Sequence, residues 1–179
     1  KYEAGIELRG KTIGIVGIGR IGQEVARIAL GLGMKVIASD TRIGKASVRV
    51  DFYNSQYINV EIETEPLEQL IQHSDFITLH VPAQDGPIIG AAELDKMKPG
   101  AAIVNCARGG VIDENALIAA LDSGKLAFAG LDVFENEPTP SDAILNHPKI
   151  SLTPHTGAAT EEAQDRIGTE LANQIASIL

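Results

Sequence analysis

Three residues suited to handling a small acid and its proton stand just past predicted strands in the second half of the chain. They are Arg108 in "NCARGG", Glu137 in "GLDVFENEP" and His155 in "PHTGAAT". A histidine titrates near neutral pH, and a carboxylate on its second ring nitrogen stabilises the imidazolium, which makes the ring a usable proton shuttle. The planar fork of an arginine suits a carboxylate, and Gly109 and Gly110 let the Arg108 guanidinium enter a crevice. Each residue alone has an ordinary reading: a surface arginine, a solvated acid, a structural histidine. Beside a hydride carrier, the three together suit chemistry at a 2-hydroxy or 2-keto acid.

The carrier's site is written near the start. In "GIVGIGRIGQEVA", Gly17, Gly19 and Gly22 form G-x-G-x-x-G between a predicted strand and a predicted helix. One glycine allows the tight turn, one lets a pyrophosphate approach the backbone, and one lets helix and strand pack closely. The helix start then offers unpaired N–H groups to the anion. The pattern alone is weak, because glycines gather in turns for conformational reasons. Its position decides the matter: Asp40 ends the next strand about twenty residues on, where a carboxylate accepts the adenosine ribose hydroxyls. The same charge repels a 2′-phosphate, so NAD is expected over NADP, with Arg42 as the one nearby residue that argues the other way.

The elements that must position these residues alternate along the chain. Strands are expected at residues 12–16 and 35–40, with a helix between them marked by Ile21, Val25, Ile28 and Leu32 and closed by Gly33. Residues 41–65 carry a poor signal apart from "INVEI", which alternates like an edge strand. Beyond them, a helix over 65–73, the strand "DFITLH", the helix "AAELDKM" and the strand "AAIVN" follow in turn. A helix capped by Asp113 and ending near Gly124, the strands "LAFAGLD" and "ISLTP", and a terminal helix from Thr160 complete the order. That last helix is expected to bury Ala163, Ile167, Leu171, Ile175 and Ile178. Such alternation implies a parallel sheet of about seven strands covered on both faces, a doubly wound, Rossmann-like α/β domain.

Composition excludes several other readings. A net charge of −9, from 24 acids and 15 bases, disfavours nucleic acid and anionic membranes as partners. No apolar run approaches the eighteen or so residues of a membrane span. The single Cys106 rules out an internal disulfide and points to a reducing compartment, the cytoplasm. The opening "KYEAGIELRGK" has neither an initiator Met nor an apolar leader, so the chain is expected to be part of a longer protein.

The order "GKTIGIVGIGRIG", "SDFITLHVP", "MKPGAAIVNCARGGVIDENAL", "AGLDVFENEP" and "TPHTGAATEEAQ" closely resembles the nucleotide-binding domain of the D-isomer-specific 2-hydroxyacid dehydrogenases, over nearly the whole chain. Within that family, "NCARGG" and "GAATEEAQDR" are most similar to the branch acting on 3-phosphoglycerate. The resemblance implies one dinucleotide-binding domain over residues 1–179, a substrate domain outside this chain, and a homodimer or higher oligomer of the full-length protein. It also implies roles: Arg108 binds the substrate carboxylate and carbonyl, His155 is the general acid/base, and Glu137 orients and charges it. On the cofactor side, Arg20 and Ile21 cap the pyrophosphate, Asp40 takes the ribose, and Val81 and Pro82 line the adenine end. Cys106 and Ala107 lie along the cofactor, Cys106 as a packing residue and not a nucleophile. Asp132 holds the nicotinamide end, and Gly157 and Ala158 follow the histidine at the same wall. Two stretches depart from the family pattern: "AQDGPIIG", where many relatives carry a threonine and "LIN", and Thr156, where an apolar residue is commoner. Two uses stay open, a D-2-hydroxyacid dehydrogenase and an NAD(H)-sensing module of the corepressor type. A formate dehydrogenase is disfavoured, because that branch pairs its histidine with a glutamine.

Overall fold

A computed structural model describes residues 5–178. In chain order the elements are β1 (Thr12–Val16), α1 (Arg20–Gly31), β2 (Lys35–Ser39), β3 (Lys45–Asp51), β4 (Tyr57–Glu63), α2 (Leu67–His73) and β5 (Phe76–Leu79). They continue with α3 (Ala91–Lys96), β6 (Ala101–Asn105), α4 (Glu114–Asp122), β7 (Leu126–Leu131), α5 (Asp142–Leu145), β8 (Ile150–Leu152) and α6 (Glu161–Ile178). Six strands form one parallel sheet in the order β2-β1-β5-β6-β7-β8, while β3 and β4 pair only with each other, antiparallel. The count is thus six plus two, against the seven expected.

The strand order reverses at β1, whose neighbours are β2 on one side and β5 on the other. Beyond the C-terminal ends of such a pair the flanking loops part and leave a crevice, the usual ligand site of an open α/β sheet.

Alternation along β1 divides the core. Ile15 joins Ile18, Ala26, Ala38, Ala46, Val48 and Ile62 beneath α1 and the β3–β4 hairpin. Val16 turns to the opposite face, with Leu70, Ile77, Leu94, Ile103, Leu117 and Leu121 beneath α2, α3 and α4. Gly14 is bare because Leu70 and Ser74 occupy the space a side chain would need.

Two expectations change. Residues 41–65 hold the β3–β4 hairpin: the strand expected at "INVEI" is part of β4, and it pairs with β3, for which the sequence carries no signal, with the inward positions Ala46, Val48 and Ile62 buried. The helix marked by the apolar series is α1, and its buried face consists of Gly22, Ala26 and Ala29 with Val25 packed beside them, while Ile21, Ile28 and Leu32 are exposed. Small residues let α1 lie close on the sheet, which removes room for larger ones there. On α6, no described residue is buried, and Ile167, Leu171, Ile175 and Ile178 are exposed. Helical periodicity reports which face is apolar, not whether anything covers it.

Candidate functional site: a dinucleotide crevice and a histidine–carboxylate pair

The glycine-rich turn follows β1 at the switch point. Gly17 has φ +93°, and a Cβ on it would collide with the His80 carbonyl just after β5. The Gly17 N–H donates to the Ser39 carbonyl (2.8 Å) and the His80 N–H to the Val16 carbonyl (2.7 Å), so both neighbouring strands grip the turn. Gly22 is bare because the Gly17 carbonyl lies against it. Gly19 differs: no heavy atom lies within 4 Å of where its Cβ would stand. Nothing in the chain's own packing requires that glycine, and it leaves open space at the head of α1, where the first N–H groups are free to meet an anion. The residues therefore fit a bound dinucleotide pyrophosphate. Val81 lies against Gly17, while Pro82 is exposed beside it.

Asp40 ends β2 and reaches back to this turn. One carboxylate oxygen accepts the Ile18 N–H (2.9 Å), the other the Arg42 and Ile43 N–H groups (2.8 and 3.1 Å). Partial burial pushes its pKa up, but these donors and the Arg42 charge prevail and hold it below the ordinary aspartate value. Arg20 and Ile21 are both exposed at the start of α1, and Arg20 pairs with Glu170 of α6 at 2.8 Å.

The second cluster lies at the C-terminal ends of β6, β7 and β8. His155 Nδ1 stands 2.8 Å from Glu137 Oε2, while Glu137 Oε1 accepts the Phe134 N–H at 3.1 Å. Hydrogen bonds from His155 and Phe134 hold the Glu137 carboxyl below its ordinary range. His155 has φ +54°, a left-handed conformation uncommon outside glycine and asparagine, so its placement is imposed by its surroundings. Asp132 imposes it. This buried carboxylate accepts the Thr153 hydroxyl (2.5 Å), the Thr156 N–H (2.8 Å) and the Gly157 N–H (2.9 Å), which bracket the histidine on both sides. Burial pushes Asp132 up, yet those donors and the nearby His155 outweigh it, and the group stays ionised below its usual range. A cavity of about 350 Å³ with mostly apolar walls, including Phe134, Pro138, Leu145 and Leu152, opens beside the His155–Glu137 pair.

Comparison with known proteins shows the family. Residues 1–157 match the model of the D-isomer specific 2-hydroxyacid dehydrogenase, NAD binding domain. The chain belongs to that family. It is 46% identical over 177 residues to a D-3-phosphoglycerate dehydrogenase of Methanocaldococcus jannaschii, covering 98% of this chain and 32% of that protein. It is likewise 46% identical to a hydroxypyruvate reductase of Thermotoga maritima, over 96% of this chain and 54% of that one. The crystal structure of a glyoxylate reductase from Paecilomyes thermophila superposes with a TM-score of 0.84 at 38% identity, over 99% of this chain and 52% of the other. The chain thus spans about a third to a half of the length of these relatives.

The remaining residues expected at the site follow the C-terminal ends of β6 and β8. Ala107 is buried, whereas Cys106 is exposed. Partial shielding of its sulfur and the Asp132 charge push its thiol pKa up, which disfavours the thiolate. Arg108 is exposed, its guanidinium donating to the neighbouring Ala107 carbonyl at 2.6 Å. Gly157 sits on Asp132, and the Ala158 carbonyl accepts from Gln164 at the start of α6. Sequence reasoning missed Asn105, a buried side chain that accepts the Ala107 N–H (3.0 Å) and donates to the Arg108 carbonyl (2.9 Å). An asparagine at a strand end before a glycine pair was the available signal, since Asx side chains bind backbone groups two or three residues on.

Proposed function

We propose that this chain is the cofactor-binding part of an NAD-dependent dehydrogenase that interconverts a D-2-hydroxy acid and its 2-keto acid, with 3-phosphoglycerate as its substrate. The observation that carries the reading is the 2.8 Å contact of His155 Nδ1 with Glu137 at the edge where NAD binds. The nicotinamide, when bound, supplies the hydride acceptor or donor at C2. His155 takes the hydroxyl proton at Nε2 during oxidation and returns it to the carbonyl oxygen during reduction. Glu137 stabilises the charged ring between those events. Arg108, with its fork unpaired to any carboxylate among the described residues, binds the substrate carboxylate bidentately. Asp132 keeps the His155 loop in register with the cofactor wall formed by Cys106, Ala107, Gly157 and Ala158.

The choice of 3-phosphoglycerate rests on the named relatives and on the "NCARGG" and "GAATEEAQDR" stretches; hydroxypyruvate and glyoxylate, the substrates named for reductases of similar identity, are the alternatives. In this reading a substrate domain lies in the part of the protein this chain does not span, and the full-length protein is a homodimer or higher oligomer. Exposed apolar residues on α1 and α6 supply surfaces for such neighbours. No helix among the described residues is long and apolar enough to cross a membrane, and the lone cysteine supports a reducing compartment such as the cytoplasm in this reading. The test is an assay of the full-length protein with NAD against 3-phosphoglycerate, D-glycerate and D-lactate. Preference for 3-phosphoglycerate supports the reading, whereas NAD binding without turnover of any acid replaces it with a sensor.

A further inference from the structure

Beneath the His155–Glu137 pair lies a second pair of carboxyl side chains with no part in the chemistry described above. Glu114, on the first turn of α4, accepts the Glu135 N–H at 2.8 Å, and Glu135 accepts the Glu114 N–H at 3.2 Å. The exchange is reciprocal, side chain to backbone in each direction, between residues 21 apart in the chain. Glu114 is only 8% exposed, and no cation among the described residues is its partner. A carboxylate buried this way is costly unless its hydrogen bonds repay it. Burial and the neighbouring Glu135 charge indeed push its pKa up, against the one backbone donor that lowers it.

What the pair joins gives that cost a purpose. Glu135 is two residues before Glu137, and the intervening turn is the one whose Phe134 N–H already holds Glu137 Oε1. Glu114 follows the Arg108 loop by six residues, directly after the helix cap Asp113, whose side chain accepts the Ala116 N–H at 2.9 Å. The two loops also touch through their backbones, because a Cβ on Gly109 would collide with the Phe134 carbonyl. We infer that the Glu114–Glu135 clasp is a positioning device: it fixes the turn that presents Glu137 to His155 and ties it to the loop that carries Arg108. The inference rests on the proposed roles of these three residues, but its central claim concerns geometry and is measurable without turnover.

The measurement is the titration of His155, followed by NMR in full-length protein carrying 15N-histidine and assigned with His155→Ala. The charged groups facing His155 are Glu137 and Asp132, and only Glu137 hangs on the clasp. Glu114→Ala frees the turn, so the His155 midpoint moves from that of wild type toward that of Glu137→Gln. Glu114→Gln keeps an oxygen for the Glu135 N–H and restores the wild-type midpoint. In a Glu137→Gln background, Glu114→Ala adds no further shift, because the contact it positions is already gone. An unchanged midpoint in Glu114→Ala, with lowered melting temperature alone, overturns the inference and makes the clasp ordinary fold support. Should Glu114→Ala fail to fold, Glu135→Ala, which keeps its own N–H, gives a smaller shift of the same sign, and no shift overturns the inference equally. Failure of the functional reading shows separately, as absence of turnover of every hydroxy acid in wild type.

Discussion

The two ends of the sheet's C-terminal edge work with different parts of the chain. At the β1–β5 switch point the site is made of backbone and empty space: Gly17 pressed on the His80 carbonyl, Gly22 on the Gly17 carbonyl, and Gly19 facing nothing. At β6, β7 and β8 it is made of side chains held across loops: His155 by Glu137, its flanks by Asp132, and the Arg108 turn by Asn105. A backbone site tolerates almost no added atoms but does not depend on pH, whereas a side-chain site tolerates shape changes and depends on charge. Each prediction below puts strain on that contrast.

The largest effect falls on the side-chain end. His155→Ala in the full-length enzyme is expected to slow keto-acid reduction by about 10³-fold, the usual scale for loss of a general acid. NAD affinity by calorimetry should stay within about twofold, since the histidine is needed for the proton and not for the cofactor. A large loss of NAD affinity would mean that the two ends are not separable.

At the backbone end, two alanines separate fold from binding. Gly22→Ala puts a methyl on the Gly17 carbonyl and should cost about 3 kcal/mol of stability, as overpacking does. Gly19→Ala meets no protein atom, so its melting temperature should match wild type while the Kd for NAD rises about tenfold. Equal NAD binding by wild type and Gly19→Ala would remove the pyrophosphate from that space.

Charge at the side-chain end gives the next effect. Glu137 is held below its ordinary pKa by His155 and Phe134, so the pair stabilises the fold above the usual glutamate range and is lost as pH falls through the lowered value. Glu137→Gln keeps an acceptor without charge, so keto-acid reduction should persist at low pH and fade earlier than in wild type as pH rises. Single-turnover rates across pH measure this; coincident profiles would leave Glu137 without the role.

The contrast also explains what could be read from sequence. Glycine spacing and an acid at the end of the next strand specify the backbone site, because bareness is itself the signal. Arg108, Glu137 and His155 were legible as suitable types past strand ends, and the order of strands and helices placed them on one edge. The grip of Asp132 on residues 153–157 and the Glu114–Glu135 exchange were not legible, since both join residues 21 to 25 apart through contacts made only on folding. The apolar series on α6 misled for a related reason. Ile167, Leu171 and Ile175 recur at helical spacing, yet burial depends on a neighbour that spacing does not encode.

The smallest effect concerns Asp40, where the two modes of construction meet, because a side chain there serves backbone donors. Asp40→Asn keeps one oxygen for the Arg42 and Ile43 N–H groups but turns an amide toward Ile18, and it removes the charge that excludes a 2′-phosphate. NAD affinity should fall about fivefold, in line with one weakened charged hydrogen bond, and the preference over NADP should narrow. Stability should follow the same charge. The wild-type carboxyl lies below its ordinary value, so its N–H bonds contribute above the usual aspartate range and are lost as pH falls through the lowered pKa. The difference in melting temperature between wild type and Asp40→Asn should therefore be present at about pH 7 and shrink toward about pH 3. A difference that stays constant over that range would show that Asp40 serves the turn by shape alone, and the backbone end would then owe nothing to charge.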